Sequence, residues 1–170
     1  MLQRTDEHYR GLTYPWGRQQ APEPLKPFAV AEGVWWVRMP MPMALDHINL
    51  WLLEDGDGWT VVDTGLASED SRAIWEGLLK DFMGGKPIIR VICTHMHPDH
   101  VLGAAAFSGT RAEVVGHADL PRALADRQAN YVESLERLIG AEHFIGTRTV
   151  PVDMTVSGDT MIDLGNRLLH

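Results

Sequence analysis

The sequence predicts an α/β fold, and three patterns along the chain carry that prediction. Residues 49–63 have the pattern of a β-hairpin, because two apolar segments flank the turn residues Asp55-Gly-Asp-Gly58. Residues 68–83 follow with apolar side chains at nearly helical spacing, and two glycines end that pattern. Residues 87–93 are an apolar run rich in β-branched side chains, which is typical of a buried strand. A helix between strands in this order favours a mixed α/β architecture.

The remaining segments give weaker patterns on both sides of these three elements. Residues 1–28 are polar and contain several prolines, so we predict an extended N-terminal arm, with the domain itself over residues 29–170. Residues 120–138 are predicted to be helical, in one or two pieces. Residues 154–164 are predicted to form a hairpin that turns at Gly158-Asp159. The other predicted elements are strands at 34–38, at 111–116 and from 166 onward, and a short helix over 99–107.

Length and composition indicate one ordinary globular domain. The chain has 170 residues, of which 45% are hydrophobic and 22% are charged, and a chain of this length buries about 70% of its unfolded surface. Its net charge of −8 leaves no basic stripe for nucleic-acid phosphates. We find neither a membrane-spanning stretch nor a secretory signal, and therefore predict a cytoplasmic protein. Cys93 is the sole cysteine, which excludes an intramolecular disulfide and favours a packing role.

A cluster of metal-binding residue types follows the third of these elements. The segment Thr94-His-Met-His-Pro-Asp-His100 contains three imidazoles and one carboxylate. Neutral imidazole nitrogens and carboxylate oxygens are ligands that zinc and similar divalent ions accept. In extended backbone, side chains two positions apart share a side, so His95 and His97 can reach one ion. Pro98 then turns the chain, so Asp99 and His100 are better placed to bind a second metal ion near the first.

The alternative is that these residues are ordinary solvated or packing side chains. A lone histidine is usually such a side chain. A cluster of histidines and an acid that follows a buried strand, however, gains no stability from burial in a core. We therefore predict a metal site. A catalytic zinc usually takes three protein ligands plus water, and a two-metal site holds its ions about 3.5–4 Å apart. The segment supplies about half of the ligands that such a site needs.

This segment resembles the His-x-His-x-Asp-His signature of the metallo-β-lactamase-fold hydrolases. His95-Met-His-Pro-Asp-His100 matches the signature position for position. A second match lies upstream, where residues 59–65, Trp-Thr-Val-Val-Asp-Thr-Gly, resemble the family's first motif, a strand that ends in Asp-Thr-Gly. The resemblance covers roughly residues 30 to 170. It implies a metallo-β-lactamase-type αββα sandwich, of which this chain would contain the first half and the start of the second.

The resemblance also implies roles for individual residues. His95 and His97 would hold one ion, while Asp99 and His100 would hold a second. Asp99 would also orient the nucleophilic water, and Asp63 would support the metal loop through hydrogen bonds. The expected cofactor is zinc, as one or two ions. Iron is the alternative, because ligand type alone does not exclude it.

The chain also departs from the family pattern. Family members are commonly longer and continue into a Pro-Gly-His turn, a bridging aspartate and a final histidine, none of which occurs in this sequence. We therefore expect a domain that is incomplete at its C-terminus, or a site completed by a second chain in a homo-oligomer. His117, His143 and His170 are the remaining candidate ligands, although each alone is more typical of a surface or packing histidine.

Two functional hypotheses follow from these patterns. The leading hypothesis is a metal-dependent hydrolase, or the N-terminal portion of one, which uses a metal-activated water on a small-molecule acyl substrate such as an ester, thioester or lactone. By resemblance, glyoxalase II-like hydrolysis of a hydroxyacylglutathione-type thioester is the best single expectation. The second hypothesis is a non-catalytic metal-binding or assembly domain that retains the signature without the later ligands. Neither hypothesis involves nucleic acid or a membrane.

Overall fold

The computed structural model of the chain describes residues 4–18, 20–107, 109–141 and 152–170. Its main feature is a seven-stranded sheet, accompanied by two small two-stranded sheets. The strands are β1 (Glu7–Tyr9), β2 (Leu12–Tyr14), β3 (Phe28–Ala31), β4 (Val34–Pro40), β5 (His47–Asp55), β6 (Gly58–Val62), β7 (Ile88–Cys93), β8 (Glu113–His117), β9 (Met154–Val156), β10 (Ile162–Asp163) and β11 (Leu168–Leu169). The helices are α1 (Glu69–Asp81), α2 (Pro98–Val101) and α3 (Leu120–Ile139), and a 3-10 helix over Leu102–Phe107 follows α2 directly.

The predicted α/β fold is confirmed, and its sheet has an antiparallel and a parallel half. The order across the sheet is β3-β4-β5-β6-β7-β8-β9. β3 to β6 pair antiparallel, and β5 with β6 is the hairpin predicted over residues 49–63. β6 to β9 pair in parallel, with α1 connecting β6 to β7. Because parallel strands end at the same edge of a sheet, the loops after β6, β7 and β8 lie along one edge.

Helices cover one face of this sheet. Leu52 lies beside Val61 in the strand register, and both are fully buried, as is Val91 on β7. The same hydrophobic core contains Trp75 of α1 and Leu124 of α3. Side chains of a strand alternate between the two faces, so these residues define the face toward the helices.

The two long helices form from favourable local signals. α1 begins where it was predicted, because the Ser68 side chain accepts a hydrogen bond from the Ser71 N–H. Glu69 and Asp70 lie in its first turn and Lys80 in its last, which suits the helix dipole. α3 is one continuous helix. Neither these nor the other helices of the described residues have the length and hydropathy to cross a bilayer.

The opposite face of the sheet receives the N-terminal arm. The arm, predicted to be extended, contains a small hairpin of β1 and β2. Trp16 follows this hairpin, and its ring centroid lies 5.1 Å from that of Phe28 and 6.1 Å from that of Trp36. Trp36 stacks in turn on Trp51. Since Trp36 alternates with the buried Val37, these aromatic contacts anchor the arm on the face away from the helices.

The prediction of a hairpin over residues 154–164 is wrong. β9 pairs in parallel with β8, and β10 pairs with β11 instead. The reason is the open edge of β8, whose backbone groups need hydrogen-bond partners. The Asp153 N–H donates to the Val114 carbonyl, and the Ala118 N–H donates to the Val156 carbonyl. Hydrogen bonds to the sheet edge therefore outweigh the local turn signal of the glycine-aspartate pair.

Candidate metal centre

Two loops that leave neighbouring parallel strands form the candidate site. β6 ends at Val62 and β7 ends at Cys93, so Asp63 and the segment Thr94–His100 emerge side by side. Asp63 has a left-handed backbone, with a φ of 61°. Aspartate adopts this region more readily than most residues other than glycine, because its short polar side chain can form local hydrogen bonds. The sharp change of direction after β6 thus turns a carboxylate toward the neighbouring loop.

Asp63 joins the two loops through its buried carboxylate. The residue is only 5% exposed. The carboxylate accepts a hydrogen bond from the Thr94 N–H at 2.8 Å and from the Thr94 hydroxyl at 2.7 Å. It also lies 2.7 Å from Nδ1 of His100. Such donors compensate a carboxylate for its removal from water, so the loop and the aspartate stabilise each other.

The backbone under the loop is held from the helix side. Thr64 donates to the carbonyl oxygen of His100, from its N–H at 3.0 Å and from its hydroxyl at 2.9 Å. The indole N–H of Trp75 donates to the Thr64 carbonyl at 2.9 Å. Gly103 packs so closely that a Cβ atom at this position would lie 2.6 Å from the Thr64 carbonyl oxygen. A residue without a side chain is therefore required at this position.

Three histidine rings gather on the outer side of the loop. The ring centroids of His95 and His100 are 3.8 Å apart, and those of His95 and His97 are 4.9 Å apart. Asp99 Oδ2 lies 3.4 Å from His100 Nε2. His95 and His97 are exposed, whereas Asp99 and His100 are half-buried. The four side chains predicted as ligands are thus neighbours in space at a surface that solvent can reach.

Two of these histidines have shifted pKa values, in opposite directions. Partial burial and the nearby charge of His100 lower the pKa of His95, which favours the neutral imidazole that metal binding requires. For His100, partial burial opposes protonation, but the hydrogen bond and charge of Asp63 outweigh it and raise the pKa. The hydrogen bond uses Nδ1 of His100. Histidine ligands commonly have a carboxylate on one ring nitrogen and the metal on the other, and Nε2 is the nitrogen left here.

The donor set fits a divalent ion in kind but not in number. Imidazole and carboxylate are zinc ligands, and the bond between Asp63 and His100 is the support that a ligand histidine usually has. Across residues 4–18, 20–107, 109–141 and 152–170, however, no three His, Cys, Asp or Glu side chains are placed so that they could hold one ion. The assignment of His95, His97, Asp99 and His100 as ligands therefore stays a prediction, and the loop supplies part of a site.

The other candidate histidines show no link to this cluster where the structure describes them. His117 ends β8 and is exposed, and its Nδ1 accepts a hydrogen bond from the Asp119 N–H. His170 is exposed after β11. Neither has a ring contact or ion pair with the cluster among the described residues. His143 lies outside the described residues.

Tyr131 is a neighbour of the site that the sequence analysis missed. Its ring centroid lies 6.5 Å from that of His97, with the two rings nearly perpendicular at 77°. The contact joins the loop after β7 to α3, which are distant in the sequence. A tyrosine inside a helical pattern carries no local signal of such a contact, so only the folded chain could reveal it.

Cys93 provides a test of how tightly this edge is packed. The thiol is buried at the end of β7, and burial, followed by the charge of Asp63, raises its pKa to about 12. Because the thiolate is the reactive form, we expect the folded chain to resist iodoacetamide at about pH 8 and to react fully after unfolding in urea. Intact-mass spectrometry measures the difference. Rapid alkylation of the folded chain would show that the strand end is open to solvent.

Comparisons with known proteins agree with this fold. The sequence profile of the Metallo-beta-lactamase superfamily matches residues 44–169. The crystal structure of a beta-lactamase domain protein from Burkholderia ambifaria is 31% identical, with a TM-score of 0.73 over 89% of this chain and 48% of that chain. A metallo-beta-lactamase of Pseudomonas aeruginosa, solved in a mono-zinc form, is 28% identical, with a TM-score of 0.50 over 65% of this chain and 49% of that one.

A curated relative adds a second kind of similarity. A linear primary-alkylsulfatase of Pseudomonas sp. (strain ATCC 19151) is 38% identical over 56 residues, which are 33% of this chain and 10% of the alkylsulfatase. This chain thus spans about half the length of the two solved structures and about a tenth of the alkylsulfatase.

Proposed function

Because this chain belongs to the metallo-beta-lactamase superfamily, we propose that it forms part of a metal-dependent hydrolase with its active site at the loop Thr94–His100. Members of the superfamily are hydrolases, and the general reaction class rests on that membership. The single observation that carries the proposal for this loop is the 2.7 Å contact between the buried Asp63 carboxylate and His100 Nδ1. A buried carboxylate that orients an imidazole at an exposed sheet edge is typical of an assembled reaction centre.

Zinc is the expected ion, since it is typical of this family. In the proposal, His95 and His97 would hold one ion, while Asp99 and His100 would hold a second. Zinc, when bound, lowers the pKa of a coordinated water toward about 7 and polarises an oxygen of the substrate. Iron is the alternative ion, because these ligand types also accept it.

The chain's own residues would position the reacting groups. Asp63 fixes the ring of His100 through Nδ1, and Thr64 fixes the backbone carbonyl of the same residue. Asp99 is half-buried beside His100 Nε2, from where its carboxylate would accept a hydrogen bond from the attacking water and so orient it. In this role Asp99 acts directly on the reactants, whereas Asp63 acts through His100.

Two classes of ester are candidate substrates. The first is the acyl class expected from the sequence resemblance, namely esters, thioesters and lactones, with a glyoxalase II-like thioester hydrolase as the best single proposal. The second is the sulfate esters, because this chain is similar to a linear primary-alkylsulfatase. We place the acyl class first, because that similarity covers only 33% of this chain. Both classes present a polar ester group that an exposed site can admit.

We also propose that groups outside the described residues complete the metal site. A catalytic zinc usually has three protein ligands, and the described part of the chain places no such group of three. Further polypeptide or a second copy of this chain would supply the rest. The same observation favours the second candidate function, a non-catalytic metal-binding or assembly domain. The cytoplasmic location stays a prediction.

The test is to load the purified chain with zinc and measure metal content, oligomeric state and hydrolysis together. The substrates are a hydroxyacylglutathione thioester, a lactone and a linear alkyl sulfate. If a second copy of the chain completes the site, we expect an oligomer that holds about two zinc ions per chain, as a two-metal site requires, and that turns over the thioester. Turnover of the alkyl sulfate alone would instead support the sulfate-ester class. Zinc binding without any turnover would identify the non-catalytic domain, and the absence of both would overturn the proposal.

A further inference from the structure

Tyr131 extends the candidate site onto a third element of the fold. The rings of Tyr131 and His97 meet edge to face, with centroids 6.5 Å apart. Aromatic pairs favour this arrangement because the positive edge of one ring meets the negative face of the other. The structure therefore places a tyrosine of α3 directly beside the histidine cluster after β7.

The position of Tyr131 is fixed by the packing of α3. Leu124 and Leu135 of this helix are buried in the core, at 2% and 9% exposure. Tyr131 lies seven positions after Leu124 and four before Leu135, so it shares the core-facing side of the helix. At the start of the helix, Leu120 packs against the backbone of Gly116 on β8. These contacts hold α3 against the sheet, and with it the tyrosine against the loop.

The hydroxyl of Tyr131 has no hydrogen-bond partner among the described residues, although its side chain is half-buried. Phenylalanine would supply the same ring contact to His97 without a polar atom. The hydroxyl oxygen is not among the buried unpaired polar atoms of the described residues, so it is open to solvent, where water can serve as its partner until a ligand replaces it. A free phenol beside an exposed cluster of candidate ligands is thus available to a bound molecule.

We propose that Tyr131 binds and orients the substrate, a step that rests on the hydrolase function proposed above. Its hydroxyl donates a hydrogen bond to an oxygen of the ester group, which is a carbonyl oxygen in an acyl ester and a sulfuryl oxygen in a sulfate ester. The ring stays against His97 and limits how the substrate enters. No covalent bond to Tyr131 forms or breaks, and no proton leaves it.

Ligand binding tests this role without any turnover. The chain has three tyrosines, so labelling with [13Cζ]tyrosine gives one NMR resonance for each, and Tyr131→Phe assigns one of them. The probes are octanoate, which is the product of an acyl ester, and octyl sulfate, each added to the zinc-loaded chain. We expect a saturable shift of the Tyr131 resonance with at least one probe. Tyr9 and Tyr14 lie in the N-terminal arm and should not respond.

Kinetics provides the second measurement. Tyr131→Phe is expected to lower kcat/KM by about tenfold, the effect of one lost hydrogen bond, while zinc content and thermal midpoint stay at the wild-type values. Tyr9→Phe is the matched control, because it removes a phenol hydroxyl from the arm, and it should leave kcat/KM unchanged. A role limited to packing would leave Tyr131→Phe at the wild-type rate, since the ring remains, and would impair only Tyr131→Leu.

The outcomes separate this inference from the proposed function. If the wild-type chain hydrolyses none of the substrates, the proposed function fails, and the labelled resonance alone decides the role of Tyr131. If the wild-type chain turns over, the kinetic comparison decides. Equal kcat/KM for wild type and Tyr131→Phe would overturn the inference and leave the hydrolase standing.

Discussion

Replacing His97 with alanine is expected to abolish zinc retention by the chain. In the proposed site, His95 and His97 share one ion, so the variant leaves a single imidazole at that position. Loss of a residue that merely supports a ligand already weakens metal affinity about 10- to 100-fold, and loss of a ligand should exceed that. The measurement is zinc per chain after gel filtration, by inductively coupled plasma mass spectrometry.

The design of this experiment separates metal binding from folding. His97 is exposed. It is the N-cap residue of α2, but its side chain makes no capping hydrogen bond. The variant should therefore fold as wild type does. His8→Ala is the matched control, because His8 is exposed on β1 and bonded to Thr13 in the arm. Full zinc retention by His97→Ala would show that the ligand assignment is wrong, and equal losses in both variants would indicate adventitious binding.

The sequence could predict that the four candidate ligands are neighbours in space, because they are contiguous in the chain. A strand followed by a turn brings His95, His97, Asp99 and His100 together without help from the rest of the fold, and the structure has them as neighbours. Asp63 is different, since its contact with His100 spans two strands. No local pattern predicts that contact, and it was expected only from the resemblance to a family motif. The Asp63 interaction thus depends on β6 and β7 being parallel neighbours.

Elements whose partners are distant in the sequence were predicted poorly, and the short local hairpin of β1 and β2 was missed as well. The hairpin over 49–63 was correct because its turn and both strands are local. β9 was assigned to the wrong partner, since its pairing with β8 depends on an open sheet edge that exists only after the core has formed. Tyr131 was missed for the same reason, because α3 must first pack on the sheet before its ring can reach His97.

Removing the carboxylate of Asp63 is expected to destabilise the chain more than any surface change at this edge. In Asp63→Ala, Thr94 and His100 lose their buried acceptor, which corresponds to a loss of about 3–5 kcal/mol in the free energy of unfolding. Alanine also adopts a left-handed backbone less readily than aspartate, and the φ of 61° would be retained at a cost of about 1–2 kcal/mol. Whole domains are stable by about 5–15 kcal/mol, so urea unfolding should reveal a large shift in midpoint.

Asp63→Asn separates the effect of the lost charge from the effect of backbone strain. The pH dependence of the unfolding free energy separates the contribution of His100 from that of Thr94. Asparagine tolerates the left-handed region and can still accept a hydrogen bond, so its loss should be smaller, about 1–3 kcal/mol. Asp63 raises the pKa of His100, so the stability from this pair is present below the unfolded pKa and is lost as pH rises through the folded pKa. For the metal-free chain, the loss of unfolding free energy in both variants should therefore shrink from acidic toward alkaline pH.

Asp159→Asn is the control at an exposed turn, and its free energy of unfolding should stay within about 0.5 kcal/mol of wild type. If Asp63→Ala also lost no more than about 0.5 kcal/mol in the free energy of unfolding, the carboxylate would not hold the two loops together.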